Sequence, residues 1–310
     1  MADRSSPRRG PRAGQRSRQR PAERARRVDP AREAAYLLLR AVHAGAYANL
    51  ELPRRLRQAR LTGRDAGFAT ELGYGTLRLQ GLYDRVVAQA AGRAPDQIDP
   101  PVLDALRLGC HQLLATRVPP HAAVSATVAL ARQHLGSGAA GFTNAVLRRV
   151  AEHDLTGWRD RVTEGITDPV ERLAATHSHP PWVVRALRAA LVDHGEGEDA
   201  LPDLLAAHNE PGTLTLTARP GLGAEADLAD AGAQPDPTCP TAWRLPAGDP
   251  AQIPAVRDGR AAVQDAGSQL LTLALLAAPV EGRDEEWLDL CAGPGGKAGL
   301  LAGAAIAAGA

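Results

Sequence analysis

Apolar positions across residues 30–150 recur at helical spacing. Ala34, Leu37, Leu38, Ala41 and Val42 fall at i, i+3, i+4, i+7 and i+8, which predicts one buried helical face. Phe68, Leu72, Gly75, Leu79, Leu82 and Val86 alternate steps of four and three. That pattern predicts a single long helix in which glycine permits close approach. Leu103, Leu106, Cys110 and Leu113 make a third stripe, Val124, Val128, Ala131 and Leu135 a fourth, and Phe142, Ala145, Val146 and Val150 a fifth. The breakers between them, Gly92–Pro95, Pro119–Pro120 and Gly136–Gly138, are short, so the helices are expected to pack as a compact helical domain.

The pattern changes after about residue 155. Pro180 and Pro181 end one segment and open the next, since proline suits a first helical turn. Residues 183–209 again carry a helical pattern. Thr213–Thr217 alternates Thr and Leu with the period of a strand. Pro, Gly and Asp dominate residues 220–260, and residues 165–255 are read as a small α+β domain. A helix is expected from Gln264 to about Ala277, an apolar strand over Trp287–Cys291, a tight turn at Gly293–Gly296, and a helix from Ala298 onward.

Charge adds a second asymmetry. The net charge is +1, yet residues 1–27 hold ten arginines against Asp3 and Glu23. This arm carries +8 and the rest of the chain −7. A basic arm on a mildly acidic body suits nucleic acid, and equally suits a solvated tail with no specific partner. The arm lacks the apolar run of a secretory signal, and Pro7, Pro11 and Pro21 oppose an amphipathic transit helix. No stretch has the roughly 18 uninterrupted apolar residues of a membrane span. Cys110, Cys239 and Cys291 are too few and too scattered for a disulfide framework or a zinc knuckle, so a reducing cytoplasm is the expected setting.

The chemistry-bearing segment is Trp287-Leu288-Asp289-Leu290-Cys291-Ala292-Gly293-Pro294-Gly295-Gly296-Lys297. A strand, a glycine turn and a helix in that order let a ligand approach the backbone at a helix N-terminus. A phosphate-binding P-loop would need glycine at the position of Cys291 and Ser or Thr at that of Ala298, so it does not fit. A dinucleotide motif fits Gly293-x-Gly295-x-x-Ala298 on spacing, but Pro294 removes a backbone donor between the glycines. An S-adenosylmethionine site, with Asp289 preceding Ala292-Gly293-Pro294-Gly295, is the third reading. An ordinary glycine-rich βα turn is the fourth.

Cys291-Ala-Gly-Pro-Gly-Gly-Lys297 after Leu288-Asp289-Leu290 closely resembles the cofactor motif of the RsmB/Nop family of RNA cytosine-5 methyltransferases, with Gly293 in place of an alanine. Val118-Pro119-Pro120-His121-Ala122-Ala123-Val124-Ser125 resembles a stretch of the RsmB subgroup. So do Asn144–Arg149, Ser178-His179-Pro180-Pro181-Trp182 and Val263-Gln264-Asp265-Ala266. The matches spread from about residue 30 to 303. The strand near Leu214–Arg219 departs from the family wording, so no RNA-contact residues are carried over there.

The resemblance implies three domains after a basic tail at residues 1–28. They are an all-α NusB-like RNA-binding domain at 29–155, a small α+β RNA-contacting domain at 165–255, and the start of an α/β Rossmann-like class I methyltransferase domain at 256–310. It implies S-adenosylmethionine as cofactor, held by Cys291, Ala292, Gly293, Pro294, Gly295, Gly296 and Lys297. Ribosomal RNA is the implied partner and C5 of a cytosine, in the small subunit, the implied target, with no membrane or metal and a monomeric state. Cytosine C5 is a poor nucleophile until a thiolate adds to C6. The family's reactive cysteines stand in Pro-Cys and Thr-Cys motifs on later strands of the catalytic domain. Pro-Cys does not occur in this sequence, and its one Thr-Cys, Thr238-Cys239, lies in a Pro-rich loop before the cofactor motif. The catalytic residues are therefore expected beyond Ala310, and the chain by itself is expected to be inactive. The alternative is a NusB-like RNA-binding or antitermination module without catalysis, which would not need residues 287–300.

The remaining candidates read as structural or mixed. Cys110 lies on an apolar stripe and is expected in the core. His177 and His179 lack a third metal ligand nearby and precede a helix start. Arg148 and Arg149 suit a helix C-terminus as well as RNA. Lys297 opposes the dipole at a helix start, which points to a functional contact.

Overall fold

The computed structural model describes residues 28–246, 248–283 and 286–309. The arginine-rich segment 1–27, with its expected RNA role, lies outside the described residues.

Seven helices build the first unit: α1 (Pro30–His43), α2 (Ala48–Gln58), α3 (Gly63–Arg78), α4 (Gln80–Ala91), α5 (Pro100–Leu114), α6 (Pro120–Leu135) and α7 (Ser137–Val150). Several start at proline, whose missing N–H costs nothing in a first turn. The Asp29 side chain caps α1 by accepting from the Arg32 amide at 3.0 Å. Helix α5 is central, with α1, α3, α4, α6 and α7 packed around it. Every residue from Val102 to Gln112 is buried, so its burial is not confined to the Leu103, Leu106, Cys110 and Leu113 stripe. Its polar side chains are held by neighbouring helices. Asp104 accepts from Arg40 Nη1 at 2.7 Å and from Arg107 Nη1 at 2.9 Å. Arg107 forks onto Asp84 at 2.6 and 2.8 Å. Gln112 bonds Arg32 and Thr127, and His111 Nδ1 lies 2.9 Å from the Tyr83 hydroxyl. Gly75 of α3 leaves room for that imidazole, because a Cβ there would stand 2.3 Å from His111 Cε1.

Three details differ from the pattern-based expectation. The single helix predicted through Leu79 is two, α3 and α4, broken at Leu79 where φ is −99° and ψ 16°. The break is capped from far away: Ser178 Oγ accepts from the Leu82 amide at 3.1 Å. In α6 the buried line is Ala123, Thr127, Leu130 and Ala131, so the predicted stripe is rotated. In α7 Ala145 is exposed, and Thr143 and Leu147 turn inward with Val146 and Val150.

Four helices follow: α8 (Leu155–Thr163), α9 (Pro169–Thr176), α10 (Pro181–Asp193) and α11 (Leu201–Ala207). The helical stretch read over 183–209 is divided between α10 and α11. A small sheet comes next, from β1 (Leu214–Ala218), β2 (Gln234–Pro235), β3 (Ala242–Leu245) and β4 (Ala261–Val263), in the order β2-β3-β1-β4 and antiparallel throughout. Helices α12 (Glu225–Asp230) and α13 (Pro254–Arg257) help close its core around Leu216, Leu228, Leu245 and Ile253. The fourth strand comes from beyond residue 255. No described helix is long and apolar enough to cross a membrane.

Helices α14 (Ala266–Ala277) and α15 (Gly296–Ala307) pack on each other, α14 also packs on β1, and α15 lies against the segment Arg219–Gly221 that follows β1. Gln269, fully buried, ties α14 to the sheet by donating to Gln264 O at 3.0 Å and accepting from Thr241 Oγ1 at 2.8 Å. Glycines let α15 approach the β1 end: a Cβ at Gly303 would lie 3.2 Å from Pro220 O. The strand expected over Trp287–Cys291 is absent. A strand exists through its pairing, and no described strand lies beside this segment. The Rossmann-like sheet expected of residues 256–310 is therefore not seen among the described residues.

Candidate functional site

The glycine-rich turn enters α15 at its N-terminus. Gly295 is the N-cap residue and adopts φ 104°, a left-handed conformation that favours glycine. No side chain caps this end and no acidic residue occupies the first turn, so the N–H groups of the first turn remain available to a ligand. The turn is closed by the Gly295 amide donating to Ala292 O and, before it, by the Cys291 amide donating to Asp289 Oδ1 at 2.8 Å. Adding a Cβ at Gly293 or Gly295 would meet no atom within 4 Å, so the outer face of the turn is open to close approach.

Cys291, Ala292, Gly293, Pro294, Gly295, Gly296 and Lys297 all line one cavity of about 320 Å³. The opposite wall comes from the sheet unit: Arg219 just after β1, Val263 and Gln264 at the end of β4, and Asp265 and Ser268 at the start of α14. The sequence had marked Val263-Gln264-Asp265-Ala266 as a family stretch without giving it a task. Arg219 carried no signal, because only the fold brings β1 to the turn. Two lining residues carry a buried polar atom with no hydrogen-bond partner, Arg219 Nε and Gln264 Oε1, and Asp289 Oδ2, just before the turn and outside the lining, is a third. Orphaned atoms grouped around a glycine turn at a helix N-terminus fit a ligand that both donates and accepts hydrogen bonds.

The other candidates fall elsewhere. Cys110 is fully buried in the helical core, and burial pushes its thiol well above its usual range. Cys239 is buried against Thr241 and Gln269. His179 Nδ1 lies 2.7 Å from His177 O, in the turn before α10. Burial, then Arg159, then His179 lower the His177 pKa. Among the described residues no group of His, Cys, Asp and Glu is arranged to hold a metal ion. Arg149 donates to Ala90 O at 2.9 Å and so joins α7 to α4, while Arg148 reaches back to Asn144.

Residues 29–152 match the NusB family. Over 283 residues the chain is 50% identical to “Putative methyltransferase Rv1407” of Mycobacterium tuberculosis, covering 90% of this chain and 61% of that protein. It is 31% identical over 282 residues to “Ribosomal RNA small subunit methyltransferase B” of Pseudomonas putida, covering 87% and 59%. The solved structure of PH0851 superposes with a TM-score of 0.65 at 17% identity, over 88% of this chain and 60% of that one, which extends the likeness to the fold. The helices, the small antiparallel sheet and the glycine turn thus define a NusB-type helical domain joined to a further unit. The NusB match and these relatives together support an RsmB/Nop-type family. It spans about three fifths of the length of the relatives it matches.

Proposed function

We propose that this chain is the NusB-like and cofactor-loop portion of an enzyme that transfers a methyl group from S-adenosylmethionine to C5 of a cytosine in small-subunit ribosomal RNA, in the cytoplasm and as a monomer. The observation that carries the reading is the cavity at the start of α15, where all seven motif residues converge. The names of the relatives support the reaction class, and the cytosine target rests on the motif resemblance. When bound, S-adenosylmethionine supplies an electrophilic methyl group. Residues 291–297 supply close backbone approach and the first-turn amides of α15, which suit an anionic group. Asp289 fixes the turn through the Cys291 amide and keeps one carboxylate oxygen uncommitted. None of the three cysteines is assigned the role of nucleophile: two are buried away from the cavity, and Cys291 belongs to the cofactor loop. The helical unit and the arginine-rich segment 1–27 are assigned to RNA.

Replacing Gly295 by Val tests the site. The β-branched side chain cannot easily adopt φ 104°, so the turn must rearrange. Calorimetry is expected to show loss of S-adenosylmethionine binding, with RNA binding unchanged in a parallel titration. Cofactor binding that survives the substitution overturns the site. RNA binding without any cofactor binding by the unsubstituted chain would favour the binding-module alternative.

A further inference from the structure

The wall of the cavity that faces the glycine turn belongs to the sheet unit, and its chemistry is specific. Arg219 donates from Nη1 to Gly259 O at 2.6 Å, while its Nε is buried with no acceptor. Helix α15 lies directly on this guanidinium: a Cβ at Gly299 would stand 2.5 Å from Nη2. Gln264 is 6% exposed and joins β4 to α14. Its Nε2 donates to Ser268 Oγ at 3.2 Å, and its Oε1 is buried with no donor. A Cβ at Gly296 would lie 3.5 Å from Gln264 Cδ, so the amide backs onto the first residue of α15. A cationic donor and a neutral acceptor, each with unused hydrogen-bonding capacity, thus meet the uncapped end of a twelve-residue helix. Leaving such buried atoms unpaired carries the full desolvation cost of each group, which a complementary ligand would offset.

This set of partners selects a ligand class. A guanidinium beside a helix N-terminus favours a carboxylate. An amide oxygen favours an ammonium group, which can only donate. An α-amino acid presents both, one carbon apart, whereas a phosphate monoester offers no strong donor to the amide oxygen. We propose that Arg219 and Gln264 form the subsite for the amino-acid end of the cofactor, with Arg219 receiving the carboxylate and Gln264 the ammonium group. The proposal rests on the reading of residues 291–297 as a cofactor loop. It makes cofactor binding a joint property of two units: the turn grants backbone approach, and the sheet unit reads charge.

The test compares S-adenosylhomocysteine with 5′-methylthioadenosine, which keeps the nucleoside and thioether but lacks the amino-acid end. Both are titrated calorimetrically into the 310-residue chain. The unsubstituted chain is expected to prefer S-adenosylhomocysteine by at least about tenfold, the loss of one charge-assisted contact. Arg219→Met and Gln264→Leu are each expected to weaken S-adenosylhomocysteine by about tenfold and to leave 5′-methylthioadenosine unchanged. Arg219→Lys, which keeps the charge, should recover part of the loss. Equal weakening of both ligands would mean a purely structural role and overturn the subsite, as would no weakening of either. If Gln264→Leu fails to fold, the Met and Lys variants at Arg219 decide. An unsubstituted chain that binds both ligands equally overturns the subsite alone. One that binds neither overturns the cofactor-loop reading, and the subsite with it.

Discussion

The helical unit and the final pair of helices are both rich in Leu and Ala, yet they end in opposite states. In the first unit, Leu38, Leu72, Leu82, Leu106, Leu108, Leu130 and Leu147 are fully buried. In the second, Leu271 and Leu275 of α14 are each 63% exposed, and Leu288 and Leu290 before the glycine turn exceed 80%. The final pair is the more apolar of the two by composition, so apolar content does not decide burial; what differs is the number of faces that find a partner. Helix α5 is enclosed on all sides and buries even Asp104 and Arg107, because α1 and α4 bring Arg40 and Asp84 to meet them. Helix α14 meets the sheet and α15, and no other described element covers its outer face. Burial follows from the arrangement of neighbours, and a hydrophobic stretch acquires its energetic weight only when water is displaced from it.

The largest expected effect that would break this contrast comes from Asp104→Ala. Asp104 is 2% exposed and answers two guanidinium groups, so its loss leaves Arg40 and Arg107 short of a partner in the core. Stability of the helical unit should fall by about 3–5 kcal/mol, read from urea unfolding followed by circular dichroism. A change below 1 kcal/mol would mean that water reaches the network. Next comes Gly109→Ala, whose Cβ would stand 2.6 Å from Leu147 Cδ1 across the α5–α7 contact. Overpacking of about 1–3 kcal/mol is expected by the same measurement, and a stabilised variant would show that α7 moves freely.

The sheet unit offers a titration. The Thr238 hydroxyl and amide and the Arg244 guanidinium hold the Asp236 carboxyl at about 2, below its ordinary 3.8. The folded pKa is the lower one, so the stabilisation is present above about pH 4 and is lost as pH falls through 2. The Thr238 amide resonance should titrate with a midpoint near 2, and Asp236→Asn should remove that step. A midpoint at 3.8 would show that these bonds do not persist in solution. The smallest effect is expected from Leu275→Ser, on the uncovered face of α14. Stability should stay within about 0.5 kcal/mol, and a loss comparable to that of a core leucine would reveal a partner for this face.

The sequence by itself determined the helical periodicity, the short breakers between helices, the β1 strand and the position of the turn before α15. These are local properties. Helical spacing, proline at a first turn and glycine at positive φ act within a few residues, so they are legible one window at a time. The glycine-rich turn was legible for the same reason, since residues 291–297 are contiguous. Tertiary structure alone decided the rest. The break at Leu79 depends on a cap from Ser178, almost a hundred residues away. The enclosure of α5 depends on Arg40 and Asp84, which lie on other helices. Trp287–Cys291 has the composition of a strand but no strand beside it, and pairing is a relation between segments that no single stretch encodes. Arg219 and Gln264 reach the cavity only because β1 and β4 lie side by side and α15 settles on them through Gly299 and Gly296. Such sites combine residues far apart in the chain, and the free energy that unites them is gained when surfaces meet, which a one-dimensional pattern does not record.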